Sequence, residues 1–293
     1  MAQFTALTTL LLSLFVPWPA ASEDLGQDKA LTWAGCGITK KSFMKELAAA
    51  FTERTGIRVD IEGGGAARGL RDTADRRIDF GGSCRMALPD LDPREFHVLT
   101  HPVAWDALVV IVHPGNPVDG ITSDQLREVY TGKITNWKAL GGPDHEIELY
   151  VRKGFSSGVG YALRQYLFQN TQQKFVTTKD RVKRSSGPIE KAVEANPYAI
   201  AVTGVSSARK RKVKILDLDG KTPSFENVKA GRYKLYRPLY LVTTPNPSPE
   251  VKEFVEFAYS EAGKRILRAN QVVPYYDALE LSKNLTVFGF GVK

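Results

Sequence analysis

The chain has 293 residues, 43% hydrophobic and 25% charged, with two cysteines and a formal net charge of +8. This composition excludes a collagenous, coiled-coil or disordered polymer, and the length suits two lobes better than one core. A basic balance would suit nucleic acid, a membrane surface or small anions. The densest basic run, Arg209-Lys210-Arg211-Lys212-Val213-Lys214, lacks interleaved aromatics. It reads as a solvated turn, and nucleic acid is not expected as a partner.

Residues 1–22 carry no charge, and the apolar run from Phe4 to Val16 precedes Pro17-Trp18-Pro19-Ala20-Ala21-Ser22 and then Glu23-Asp24. A short apolar core followed by small residues reads as a cleaved secretory signal, too short to span a bilayer comfortably. With no Lys or Arg near Met1, an interfacial or disordered N-terminus is the alternative. Trp33-Ala34-Gly35-Cys36 ends like a lipidation box but lies beyond the polar stretch from Glu23 to Lys29, away from the membrane exit. A soluble, exported protein is expected.

Leu31 to Ala34, Ile57 to Ile61, Ala107 to Val112, Ile147 to Val151, Ala199 to Val202, Val213 to Leu218 and Leu239 to Thr243 read as short buried strands. Helical patterns alternate with them. Phe43, Leu47, Ala50 and Phe51 make one apolar face before Gly56; Leu126, Val129 and Tyr130 make another before Gly132. Val251, Phe254, Val255, Ala258 and Tyr259 form a third, which Ile266 and Leu267 could continue. The alternation predicts an α/β fold with largely parallel sheets and ligands at the carboxyl ends of strands.

Three Gly- and hydroxyl-rich loops follow strand-like runs: Gly35-Cys36-Gly37-Ile38-Thr39, Gly81-Gly82-Ser83-Cys84-Arg85 and Arg152-Lys153-Gly154-Phe155-Ser156-Ser157-Gly158. Glycines let backbone approach a ligand, hydroxyls donate to it, and the free N–H groups of a helix start carry partial positive charge. Any one of them is a common turn; three together, two carrying arginine, describe a pocket for a small anion.

The remaining chemistry is sparse. His97, His101, His113 and His145 show no metal spacing, and no cofactor motif is present. Ser156 and Ser157 at a strand-to-helix turn leave a serine hydrolase conceivable, without an identifiable base. Both cysteines fall in candidate loops. In an exported chain the pair suggests a disulfide, whose loop of about 48 residues would contribute ~4 kcal/mol in the loop-entropy model. A reduced pair holding a soft metal such as copper, or two unlinked thiols, remains open.

A resemblance rests on Phe51-Thr52-Glu53-Arg54-Thr55-Gly56-Ile57, on Asp79-Phe80-Gly81-Gly82-Ser83-Cys84-Arg85, on the long stretch from Ile121 to Trp137, and within it Tyr130-Thr131-Gly132-Lys133-Ile134-Thr135-Asn136-Trp137. Arg152 with Ser157-Gly158, Ser260-Glu261-Ala262-Gly263-Lys264 and Val273-Pro274 add to it. Over nearly all of Ala30 to Tyr276 the chain resembles the phosphate-binding, PstS-like branch of bacterial periplasmic solute-binding proteins of ABC transporters.

That resemblance implies a two-lobe type II periplasmic binding protein fold with a hinge and an interlobe ligand cleft. Lobe 1 would combine residues 23–107 with 239–293, and lobe 2 would be 108–238. It also implies a periplasmic, non-enzymatic monomer without cofactor that delivers a phosphate-like oxyanion or phosphorylated small molecule to an ABC-type membrane permease. The expected ligand-binding residues are Gly37, Thr39, Ser83, Arg85, Asp106, Arg152, Ser156, Ser157 and Gly158. Cys36, Cys84 and Val159 stand where the family usually has hydroxyl residues, which raises the alternative of a different, larger or apolar cargo. In this fold the loops carrying Cys36 and Cys84 should be neighbours, consistent with a disulfide.

Overall fold

A computed structural model describes residues 30–283, with Met1; the rest of the expected secretory signal lies outside the described residues. The strands are β1 (Ala30–Gly35), β2 (Arg58–Glu62), β3 (Phe80–Ser83), β4 (Leu99–Val112), β5 (Gly120–Ile121) and β6 (Glu148–Arg152). They continue with β7 (Val182–Lys183), β8 (Ala199–Gly204), β9 (Lys214–Ile215), β10 (Asp217–Leu218), β11 (Tyr236–Thr243) and β12 (Val273–Pro274). The main order is β2-β1-β3-β11-β4-β8-β6-β7; β9 and β12 also pair with β4, and β10 pairs with β5 apart from the main sheet.

Two strands hold the molecule together. β4 pairs with β11 from Leu99 to Ala107, then with β8 from Leu108 to Val112, so a single strand changes partners between residues 107 and 108. Among the described residues, parallel pairing is confined to β1 with β2 and β3, to β6 with β7 and β8, and to the short pair of β10 with β5. The expectation of largely parallel sheets is therefore corrected to a mixed arrangement. A chain that leaves one lobe and later returns must cross in opposite directions, and β4 and β11 are antiparallel.

The helices follow the apolar periodicity. Phe43, Leu47 and Phe51 are fully buried, and Phe51 packs edge-on to Phe254 with ring centroids 5.0 Å apart. Gly56 ends the helix Lys45–Thr55 at a φ of 75°, where a side chain would be strained. Thr122 and Gln125 form a reciprocal capping box before the helix Ser123–Thr131.

Other boundaries moved. The strand expected over Val213 to Leu218 is two short strands in different sheets, because Leu216 between them turns into the core and its N–H donates to Val110 O at 3.0 Å. The helix Pro249–Tyr259 does not continue through Ile266: Ser260 adopts extended backbone, and its hydroxyl accepts from Gly263 N–H to start the helix Glu261–Ala269. Gly81, Gly82 and Ser83 lie inside β3 rather than in a loop after it.

The reason for glycine there is close approach. A Cβ on Gly81 would collide with Gly69 O in the helix Ala66–Ala74, and one on Gly35 would collide with Gly82 O. Helix and strand backbones therefore touch directly at the sheet face below the loops. Gly81→Ala is expected to destabilise the fold by about 1–3 kcal/mol through overpacking. Chemical denaturation followed by circular dichroism reads this, and an unchanged midpoint would show that the contact relaxes.

Candidate functional site

Strand order brings the loops after β1 and β3 side by side, and Cys36 N–H donates to Gly82 O at 2.9 Å. A helical stretch over 37–55 follows at once, with Lys40–Met44 in a π-helical turn. The two sulfur atoms, both buried, stand 2.6 Å apart, closer than van der Waals contact.

The other wall comes from the second half of the sheet. β6 ends at Arg152, and a helical stretch over 158–168 starts at Gly158 and also contains a π-helical turn, Arg164–Phe168. A Cβ on Gly158 would collide with Cys84 Sγ and stand 3.0 Å from Ala66 Cβ, so this helix start rests on the sulfur pair. The crossing strands supply the third side. Asp106 on β4 lies opposite Arg237 on β11; Arg237 Nη1 donates to Cys84 O at 3.1 Å, and Nη2 approaches Asp106 Oδ2 at 3.4 Å.

Electrostatics concentrate at this seam. Burial alone would push the Cys36 thiol up. The hydrogen bond from Cys84, the Arg237 charge and the N–H groups of Thr39 and Ile38 outweigh it and bring Cys36 down to about 6. Cys84, desolvated and donating to Cys36, is raised well above the ordinary thiol range. The pair thus shares one proton. Burial raises Asp106 despite Arg237, and burial lowers Arg152.

The nine expected ligand residues divide into two groups. Gly37, Arg152, Ser157 and Gly158 belong to the loops and helix starts that meet at the sulfurs. Arg152 Nη1 donates to Ser186 Oγ at 3.0 Å and Nη2 to Arg184 O at 2.8 Å, while its Nε and Ser157 Oγ are buried without a partner among the described residues. The other group is engaged within the protein. Thr39 Oγ1 donates to Ser83 O at 3.3 Å, Ser83 Oγ to Arg85 O at 2.6 Å, and Asp106 Oδ1 accepts from both Ser206 N–H and Ser206 Oγ. Arg85 makes a bidentate pair with Glu95, both bonds 2.7 Å, and its Nε donates to Ser156 O at 2.7 Å. Arg85 and Ser156 are therefore bonded to each other across the seam.

Two features escaped sequence reading. Arg237 is 1% exposed, sits on the crossing strand and has a buried Nε without a partner among the described residues, yet nothing in Tyr236-Arg237-Pro238 marks it. The Gly63-Gly64-Gly65 loop after β2 was legible as a run; a Cβ on Gly65 would lie 3.4 Å from Arg152 Nη2. The basic run at 209–212 is the expected turn, with Arg209, Lys210 and Lys212 exposed, and it is anchored as well. Arg211 pairs with buried Glu190 at 3.1 Å, Lys210 with Glu46 at 3.2 Å, and Glu190 also holds Lys41 at 2.8 Å.

As for other chemistry, no general base reaches Ser157 Oγ among the described residues, so the hydrolase reading gains no support. No group of three or more His, Cys, Asp or Glu among the described residues is placed to share a metal. No helix among them is long and apolar enough to cross a membrane.

A family model described as a PBP superfamily domain matches residues 28–262. The chain belongs to this superfamily. Phosphate-binding protein PstS of Bacillus subtilis is 27% identical over 256 residues, covering 86% of this chain and 84% of the relative. A putative phosphate ABC transporter substrate-binding protein with bound phosphate from Clostridium perfringens superposes with a TM-score of 0.73 at 25% identity, covering 84% of this chain and 99% of that one. An ABC-type phosphate transport receptor from Vibrio cholerae shares the fold, with a TM-score of 0.63 at 24% identity over 84% of this chain and all of that one. The PBP superfamily assignment bears out the resemblance read from the motifs and the two-lobe type II fold.

The buried Arg85–Glu95 pair makes a separable prediction. Both side chains are 1% exposed, so Glu95→Ala leaves an uncompensated buried guanidinium and is expected to cost about 3–5 kcal/mol of stability. Thermal and denaturant unfolding of the variant measure it; a loss below about 1 kcal/mol would mean that Arg85 finds another partner.

Proposed function

We propose that this chain is a periplasmic solute-binding protein that captures a phosphate-like oxyanion or a phosphorylated small molecule and delivers it to an ABC-type membrane permease. One observation carries the reading. Two lobes direct complementary anion donors at a single point: the helix starts at 37 and 158, buried Arg152 and buried Arg237. First-turn N–H groups and guanidinium forks are the groups that stabilise an oxyanion most strongly away from water. Relatives with phosphate in their names support the same ligand class.

In this reading residues 1–22 are removed on export, the mature protein works as a monomer, and it catalyses nothing. The lobe boundary at 107/108 coincides with the residue where β4 changes partners. Residues 239–293 are assigned to lobe 1, with 284–293 outside the described residues, and β11 is the return strand of the hinge. Cys36 and Cys84 become joined in the exported protein. Ligand enters when the lobes part and is held when they close, which requires only that the closed state bind it better.

Arg152→Ala is expected to weaken phosphate binding by on the order of 2–5 kcal/mol while the fold persists. Isothermal calorimetry on both proteins decides it. Equal affinity removes Arg152 from the site, and no binding by the parent removes phosphate. Saturating phosphate should also lower the radius of gyration in small-angle scattering, since Lys41–Glu190 and Arg85–Ser156 contacts form only when the lobes meet. An unchanged curve with demonstrated binding would mean a rigid site.

A further inference from the structure

The thiols occupy the point on which the anion donors converge. Cys36 Sγ lies against the N–H groups of Ile38 and Thr39 at the start of one helix, and Cys84 Sγ lies under Gly158 at the start of the other. Charged groups surround them from every packed element. Arg237 from β11 and Arg152 from the end of β6 act on the sulfurs, while Asp106 on β4 faces Arg237 and Glu190, on the helix Ser186–Ala195, acts on Arg152. The two carboxylates are already engaged. Asp106 is bonded to Ser206 and Arg237, and Glu190 to Lys41, Arg211, Thr203 and Ser207. Unlike these carboxylates, the sulfur pair can lose its charge by oxidation.

We propose that Cys36 and Cys84 form a redox gate on the anion cleft: as a dithiol their shared sulfur anion occupies the donors that an incoming oxyanion needs, and as a disulfide they release those donors. The proposal rests on the reading of the cleft as an anion site. The switching chemistry needs only an exogenous small-molecule disulfide, RSSR. Cys36 thiolate attacks one sulfur of RSSR and expels RS⁻. Cys84 then loses its proton and attacks Cys36 in the mixed disulfide, expelling the second RS⁻. The balance is Cys36-SH plus Cys84-SH plus RSSR giving Cys36–S–S–Cys84 plus two RSH. The sulfurs are adjacent already, so ring closure brings no distant elements together, and RSSR reaches the buried pair when the lobes part.

The gate has a pH signature with a fixed sign. Reduced Cys36 titrates at about 6, so below that value the pair is neutral and the dithiol form no longer opposes an anion. Above it the pair carries charge, and a bound oxyanion must displace that charge or bind beside it. By linkage, each unit by which a bound anion raises the sulfur pKa corresponds to about tenfold weaker binding to the reduced form above that pKa. The disulfide has nothing to titrate there.

The experiment measures inorganic phosphate binding by calorimetry to full-length exported protein at pH 5 and pH 8. Three samples are compared: protein oxidised with glutathione disulfide, protein reduced with a phosphine, and a Cys36→Ser/Cys84→Ser double variant. At pH 8 the oxidised form is expected to bind about tenfold or more tightly than the reduced form, a ratio that shrinks towards one at pH 5. The double variant is expected to show the same affinity with and without oxidant. Oxidised and reduced forms that bind phosphate equally at pH 8 would overturn the gate and leave the anion site standing. Phosphate binding by none of the samples overturns the anion site and the gate with it, and thiols that resist the glutathione disulfide overturn the gate alone.

Discussion

Two guanidinium groups buried where the lobes meet constrain everything around them. Arg152 and Arg237 are 8% and 1% exposed, and an isolated charge at that depth is costly unless hydrogen bonded and compensated. The structure compensates them with different means. Arg237 uses Asp106 and the Cys84 carbonyl; Arg152 uses Ser186 and the Arg184 carbonyl. Each still has its Nε without a partner among the described residues. Unfilled donor capacity of this kind, in a seam that opens, fits a site built for an anion.

The seam is closed by contacts that belong to neither lobe alone. Lys41 reaches from the first helical stretch to Glu190 and Ser207, and Arg85 reaches to Ser156 O. These charge-assisted bonds are made in partial or full burial, where they are stronger than at the surface, yet each has a solvated alternative when the lobes part. Tightly packed glycines at β3 and the helix Ala66–Ala74 hold the loops of one wall rigid, so opening is assigned to the crossing strands β4 and β11.

Substituting sulfur for oxygen at the convergence point changes the electrostatics of the site more than its shape. A serine hydroxyl stays neutral at any working pH, whereas Cys36 is held near 6 by its neighbours and so carries charge in a neutral solution. Both lobes therefore meet over a group that is able to repel the ligand class their donors attract, and in the proposed gate the redox state of the two sulfurs governs which tendency prevails.

Local patterns in the chain determined much of this. Strand periodicity located most of the long strands, the apolar faces ending at Gly56 and Gly132 located two helices, and the glycine and hydroxyl loops marked one wall of the cleft and Arg152 on the other. Those features depend on neighbours a few residues away, so they are legible locally. Only tertiary structure decided that Arg85 serves Glu95, that Thr39 and Ser83 are engaged with backbone, and that Arg237 enters the site. It also decided that the basic run at 209–212 anchors the seam and that β4 changes partners at 107/108. The physical reason is that a buried charge takes its role from whichever group, 10 to 153 positions away in the chain, the sheet order brings within hydrogen-bond reach. No local pattern carries that information.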